Sequence, residues 1–353
     1  MKISRPRNLA GLGVAALVAA LALTSCSTGN VAATDKNSEP SAASDQFPVT
    51  LKNVFGETTI KSQPQRVATV SWVNDDTALA LGVVPVGMPK VEWGGDAQGL
   101  TPWKADALSK LSASLGTEKA PKLYSEADGI NFTEIAKTTP DVILAAYSGL
   151  SKEDYQKLSK IAPVVAYNGD PYGTSWQDST TAIGKALGKS QQAQELVTST
   201  EKAIKDEASK FPQLAGKSFV AGNLEPGKAD GVNIYTDLDN RPKFLTSLGL
   251  KQSSVVQAAT KDAKSFFISW SLEKANELDS DVFVSWVPDA GAKDAILKDP
   301  LLGQVPAIKK GALVADPDKT LNLAISAASP LSIPWALNKF VPELAAALDA
   351  AAK

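Results

Sequence analysis

Ser190–Phe211 reads SQQAQELVTSTEKAIKDEASKF. Ala193, Leu196, Val197, Thr200, Ala203, Ile204, Ala208 and Phe211 recur in it at the three-and-four spacing of one helix face. Ser190 is the expected cap and Pro212 the stop. A helix of about 20 residues spans about 30 Å, the size of a small lobe. One strut of that length, with strand and helix patterns on both sides, predicts two lobes held at a fixed spacing.

Upstream, Arg66–Ser71 (RVATVS), Asp141–Ala146 (DVILAA) and Pro163–Tyr167 (PVVAY) read as buried strands. Helical segments separate them at 74–81, 132–138 and 154–161, the first capped by Asn74 or Asp75 and stopped at Gly82. Thr174–Leu187 is a further helix, with Trp176 on its apolar face. Downstream, strands are expected at 218–221, 232–235, 265–269, 281–285 and 312–315, and helices at 242–248, 272–278 and 333–352. Such alternation argues for a mostly parallel α/β sheet. Both halves repeat one order of events: a strand, a helix ending Ala80-Leu81-Gly82-Val83 or Ser247-Leu248-Gly249-Leu250, then a helix bearing Glu134 or Glu273 that leads into Asp141 or Asp281. The fold class is therefore α/β, two Rossmann-like lobes joined by one long central helix with a ligand cleft between them. The expected divisions are an N-terminal lobe at 47–173, a helical linker at 174–212 and a C-terminal lobe at 213–353. The first lobe carries an insertion at 90–124 that holds Trp93 and Trp103.

The N-terminus carries Lys2, Arg5 and Arg7, then an apolar run from Leu9 to Leu23, then Leu23-Thr24-Ser25-Cys26. This order describes an export signal at 1–25. The run is shorter than the roughly 20 residues a transmembrane helix needs. Cys26 is the only cysteine in the chain, and its setting resembles the lipobox of bacterial lipoproteins, where the thiol is lipidated and becomes the first mature residue. An ordinary signal with an incidental Cys is the alternative. Lipidation would tether the chain at the outer face of the cytoplasmic membrane. Residues 26–46 are small and polar, a flexible tether.

Absences narrow the chemistry. There is no histidine, which excludes Ser-His-Asp and Cys-His catalysis and His-ligated zinc, copper or haem. With Cys26 committed to the anchor, thiolate metal sites and Fe–S clusters go too. Removing Lys2, Arg5 and Arg7 takes the formal charge from −2 to −5, so no nucleic-acid partner is expected. Paired-carboxylate hydrolysis of cell-wall carbohydrate remains chemically open.

Pro64-Gln-Arg-Val67 through Gly87, Asn131–Ile135 through Ile143, Leu158–Pro163, Asp281–Val284 and Asp299–Leu302 through Gly311 stand in a fixed order around the long helix. In this the chain resembles the helical-backbone class of periplasmic-type binding proteins, which capture ferric siderophores, haem and cobalamin. The resemblance implies a monomer that binds its ligand between the lobes and delivers it to an ABC permease. It implies binding rather than catalysis, with no cofactor; with no His and no Cys beyond the anchor the iron is expected to stay wrapped by its chelator, although a Tyr or carboxylate ligand stays open. The family docks one Glu of each lobe onto permease arginines, and Glu134 and Glu273 match those positions. Both residues also suit the first turn of a helix through its dipole.

Ligands of parallel sheets bind beyond the carboxyl ends of the strands. Trp72, Tyr147, Trp270 and Trp286 each follow or end a strand, and Trp93 lies in the insertion. Such rings can pack on a bulky chelate; any single one is more often core or lobe-edge packing, but of the four at strand ends at least two are expected to face the cleft. Trp176 and Trp335 look helical and are assigned to the core. Of the two arginines after the signal, Arg66 begins a strand and reads as structural. Arg241, in the loop Asp237–Pro242, can meet a chelate oxygen or remain a solvated charge. Few arginines and many aromatics favour a ferric hydroxamate complex over a strongly anionic catecholate. Cobalamin or another bulky chelate is the alternative within the class, and a ligand sensor that signals without transport stays open.

Overall fold

The computed structural model describes residues 45–227 and 231–351, all within one compact unit, Ala42–Lys353. Cys26, the export signal and nearly all of the tether lie outside the described residues. A hairpin, β1 (Val49–Asn53) and β2 (Gly56–Ile60), opens the fold. The first sheet comprises β3 (Val67–Thr69), β4 (Gly87–Pro89), β5 (Lys122–Tyr124), β6 (Val142–Ala145) and β7 (Val164–Ala166). Its spatial order is β5-β4-β3-β6-β7 and every pairing is parallel. All four residues of β6 are buried, as expected of a parallel strand covered on both faces.

The second sheet contains β8 (Ser218–Asn223), β9 (Val232–Tyr235), β10 (Lys251–Gln252), β11 (Phe267–Trp270), β12 (Val282–Trp286) and β13 (Leu313–Asp316). Its order is β11-β9-β8-β12-β13, with β10 also paired to β8. This sheet is mixed: β8, β10, β12 and β13 are parallel, but β9 runs antiparallel to β8 and β11 antiparallel to β9.

The helix Ser190–Ser209 joins the two lobes. Ala193 packs in a core with Val67, Val142 and Ile183, whereas Ile204 packs in a core with Phe219, Phe283 and Phe340. One apolar face thus serves both lobes in turn. The preceding helix, Trp176–Ala186, lies so close that a Cβ on Gly184 would sit 2.2 Å from the Ala193 Cβ.

Three expectations change. Ser190 is the first helical residue and caps nothing; the carboxylate of Asp45 accepts from its N–H and its hydroxyl at 3.1 and 2.6 Å. Neither Asn74 nor Asp75 caps the helix Asn74–Ala80; both are buried in its first turn, and Val73 is the cap residue. The segment at 272–278 is a 3₁₀ turn, Leu272–Glu277, broken at Lys274.

The lobes also meet along a seam. Leu323 and Ala327 pack against Val73 and Tyr147. Ser329 Oγ donates to Asp76 Oδ2 at 2.6 Å, and Thr320 Oγ1 donates to the Gly94 carbonyl at 2.8 Å. Gly94 has φ +78°, and a Cβ there would stand 2.8 Å from the Lys319 carbonyl oxygen, so the close approach requires glycine. Trp103, from the insertion, packs into the second lobe's core with its ring 5.2 Å from that of Trp335.

Candidate ligand-binding cleft

A cavity of about 440 Å³ lies between the lobes at the carboxyl ends of their parallel strands. Trp72, Tyr147 and Tyr172 form its wall on the first lobe. The Tyr172 ring stands 6.1 Å from Trp72 and 5.7 Å, edge-on, from Tyr147. Gly149 makes room for it, since a Cβ there would meet the Tyr172 ring at 2.4 Å. Opposite, Trp93 of the insertion meets Trp286 of β12 edge-to-face at 5.7 Å, a contact made across the cleft. The Trp286 indole nitrogen is buried and has no hydrogen-bond partner among the described residues.

The backbone around this wall is strained. Ser71 (φ 62°) and Val73 (φ 58°), either side of Trp72, and Tyr172 (φ 56°) occupy the left-handed region. A β-branched residue there is a genuine outlier, and such strain gathers at ligand sites. The Trp72 corner is held by Ser71 N–H donating to Glu126 Oε2 at 2.9 Å. It is held also by Asn74, whose side chain binds the Val70, Trp72 and Tyr147 carbonyls and accepts from Tyr147 N–H. Trp72 itself remains 55 % exposed.

The polar centre of the cleft is Arg241. It sits not in a loop, as the sequence suggests, but in the first turn of the helix Asn240–Ser247, which Asp239 caps. The Arg241 Nε and Nη2 donate to the two oxygens of Asp239 at 2.8 and 2.7 Å, and the guanidinium lies 3.4 Å from the centre of the Tyr235 ring. The Tyr235 hydroxyl donates to Asn223 Oδ1. Burial pushes the phenols of Tyr147 and Tyr235 up to about 12, so both stay protonated at neutral pH. Among the described residues, Arg241 and Asp239 are the only charged side chains on this cavity's wall.

The cavity thus brings together Trp72, Trp93, Tyr147, Arg241 and Trp286. Trp270 is not among its lining residues: it ends the edge strand β11 and packs on the second lobe's core, and its indole N–H donates to the Lys274 carbonyl at 2.9 Å. Trp176 and Trp335 pack on that same core, and Arg66 spends its side chain on the Thr138 and Thr139 carbonyls. Sequence reasoning overlooks Tyr172, Asn223, Asp239, Phe266 and Asn322, which also line the cavity. Tyr172 follows β7 closely and Asn223 ends β8, so the strand-end argument reaches both when pressed further.

A smaller cavity of about 250 Å³ shares Trp72, Trp93 and Leu323 with the first. Its wall includes Asp76 and Lys104, both buried. The Lys104 ammonium stands 2.7 Å from Asp75 and 3.5 Å from Asp76. Trp103 Nε1 donates to Asp76 Oδ2 at 2.8 Å. Burial, only partly offset by Lys104, raises the Asp76 carboxyl. Glu126 is pushed up to about 7, again by burial. No group of three or more acidic side chains among the described residues could hold a metal ion.

Of the pair expected to dock, Glu134 lies in the first turn of the helix Phe132–Lys137, where Asn131 Oδ1 accepts from its backbone N–H. Lys122 and Lys137 bind its carboxylate at 2.5 and 2.6 Å and hold it down to about 2. Glu273 is exposed on the 3₁₀ turn of the second lobe.

Residues 67–320 match the family model described as periplasmic binding protein. The chain belongs to the periplasmic binding protein family. Among curated members it is 26 % identical over 282 residues to the putative ABC transporter substrate-binding lipoprotein YhfQ of Bacillus subtilis, covering 76 % of this chain and 80 % of that one. Among solved structures it is 38 % identical to PiaA of Streptococcus pneumoniae in complex with ferrichrome, with TM-score 0.79, covering 85 % of this chain and 99 % of PiaA. SirA of Staphylococcus aureus complexed with staphyloferrin B matches at 25 % identity and TM-score 0.64, covering 84 % of this chain and 98 % of SirA. YhfQ and PiaA are named as ABC transporter substrate-binding proteins, and this binding protein shares the fold of PiaA and SirA.

Proposed function

We infer that this binding protein is the extracytoplasmic, lipid-anchored receptor of an ABC importer and carries a ferric siderophore of the hydroxamate type. The observation that carries the ligand class is charge: the one cation among the described residues lining the cleft, Arg241, is already matched by Asp239. Three monoanionic hydroxamates balance ferric iron, so their complex is neutral. Three dianionic catecholates leave it strongly anionic, and such a complex calls for several unmatched cations. Asp239 takes only two of the guanidinium's donors, and those left over can bind hydroxamate oxygens. The rings of Trp72, Trp93 and Trp286 suit the apolar backbone of such a chelate. Iron stays wrapped by its chelator, since the cleft offers neutral phenols and one engaged carboxylate. PiaA in complex with ferrichrome is consistent with this reading.

Titration of the tryptophan fluorescence tests it. A ferric trishydroxamate is expected to quench at micromolar or lower concentration, with ferric citrate and a ferric tris-catecholate at least about tenfold weaker, the equivalent of about 1.4 kcal/mol. Tighter binding of either anionic complex overturns the assignment. Anchoring through Cys26 is checked by mass spectrometry of the membrane fraction, where Cys26→Ala releases the protein.

A further inference from the structure

We propose that the smaller cavity beside the cleft is a cation-accepting annex, which takes a primary ammonium on the tail of the same chelate. The proposal rests on the cleft reading above and adds a second point of recognition to it. The two cavities share Trp72, Trp93 and Leu323, so a chelate seated in the cleft has this annex next to it.

Charge is the first argument. Asp76, Glu92 and Glu126 face Lys90 and Lys104 on the annex wall. Lys104 is already matched by Asp75, which is wholly buried and 2.7 Å from its ammonium. Lys104 also stands 3.5 Å from Asp76, which leaves Glu92 and Glu126 against Lys90: an excess of carboxylate, once Glu126 is charged, in a site walled by indole rings.

Unmet hydrogen bonds are the second argument, independent of charge. Thr101, 1 % exposed, lines the annex, and its Oγ1 has no partner among the described residues. The second carboxylate oxygen of Glu126, Oε1, is buried in the same state, while Oε2 is fixed by Ser71 N–H. A buried acceptor left unpaired is unfavourable, and an ammonium brings three donors. Carboxylate, hydroxyl and aromatic faces together are what a desolvated ammonium needs. An anionic tail is repelled by the carboxylates, and a wholly apolar one satisfies none of these groups.

The experiment compares two ferric complexes of one linear trishydroxamate, with its terminal amine free or N-acetylated. At about pH 8 Glu126 is charged and the amine still protonated. The free-amine complex is expected to bind about tenfold more tightly than the acetylated one. In Glu126→Gln, which keeps an acceptor for Ser71 N–H, the ratio should fall toward one, and in Thr101→Val it should fall by a few-fold. The ratio is read within each variant, so a general loss of affinity cancels. Equal affinities in the unaltered protein, or a ratio that survives both substitutions, overturn the annex while leaving the cleft assignment intact. Failure of both complexes to bind overturns the cleft assignment and the annex with it.

Discussion

Arg241 is held by three constraints at once: the carboxylate of Asp239, the face of Tyr235 and the first turn of its helix. Only a planar fork satisfies all three, so Arg241→Lys keeps the charge but loses the geometry. Its affinity for the ferric complex should fall about ten- to a hundredfold in a fluorescence titration, because charge-assisted hydrogen bonds are worth roughly 1.5–3 kcal/mol. Arg241→Ala should also lower Tm, since it strands Asp239, 8 % exposed, without its partner. Trp72→Ala is expected to weaken binding several-fold with little effect on Tm, the ring being more than half exposed. Trp270→Ala should do the reverse. The contrast shows what was readable at this scale. Strand ends announce where aromatics gather, and Trp72, Tyr147 and Trp286 follow from that. They do not announce that β11 is an edge strand running beside an antiparallel neighbour, and this is what takes Trp270 out of the cleft. Asp239 was invisible for another reason: its role is defined by the arginine it neutralises.

The helix Ser190–Ser209 was legible because its apolar period is unbroken, and a period survives whatever packs on it. Its N-terminal hydrogen bonding was not, because the acceptor is Asp45, 145 residues away in sequence. Cap chemistry follows from neighbours in space, and Asn74 makes the same point, since its amide is consumed in bridging Val70 and Tyr147. The crossing of this helix with Trp176–Ala186 depends on Gly184. Gly184→Ala, ordinarily favourable in a helix, should here cost about 1–3 kcal/mol by overpacking against Ala193. Ala193→Gly in the same chain should recover part of that loss, offset by about 1 kcal/mol of helix propensity. Chemical denaturation of the two single variants and the double variant measures the coupling, and additive losses would show that the helices do not meet there.

Taken whole, the molecule holds acids whose proton affinity folding raises. Glu126 and Glu343 are both pushed up to about 7 by burial, the second with Asp316 adding to the effect. From the ordinary carboxylate range up to about 7, the folded protein keeps these protons while the unfolded chain has released them. Stability should therefore fall as pH rises through that window, by about 3 kcal/mol for Glu126 alone, with the loss complete above it. Calorimetry should give a lower Tm at about pH 8 than at about pH 5, and Glu126→Gln should flatten part of the slope. The expected docking through Glu134 and Glu273 would need both lobes. Reversing charge at Glu134 together with Glu273 should abolish uptake in cells while the ferric complex binds as before. A permease arginine docking there would have to share or displace Lys122 and Lys137, which already bind Glu134. Two lobes around a strut were visible in the order of elements along the chain; the seam between them was not, since it joins residues as far apart as Asp76 and Ser329. That seam bears on how such proteins diversify. The second lobe's corner is seated on a buried carboxylate of the first, and an indole of the first is embedded in the core of the second. A chimera that exchanged one lobe for a relative's would have to bring matching halves of both contacts. Replacing side chains around the cleft, by contrast, leaves both contacts untouched.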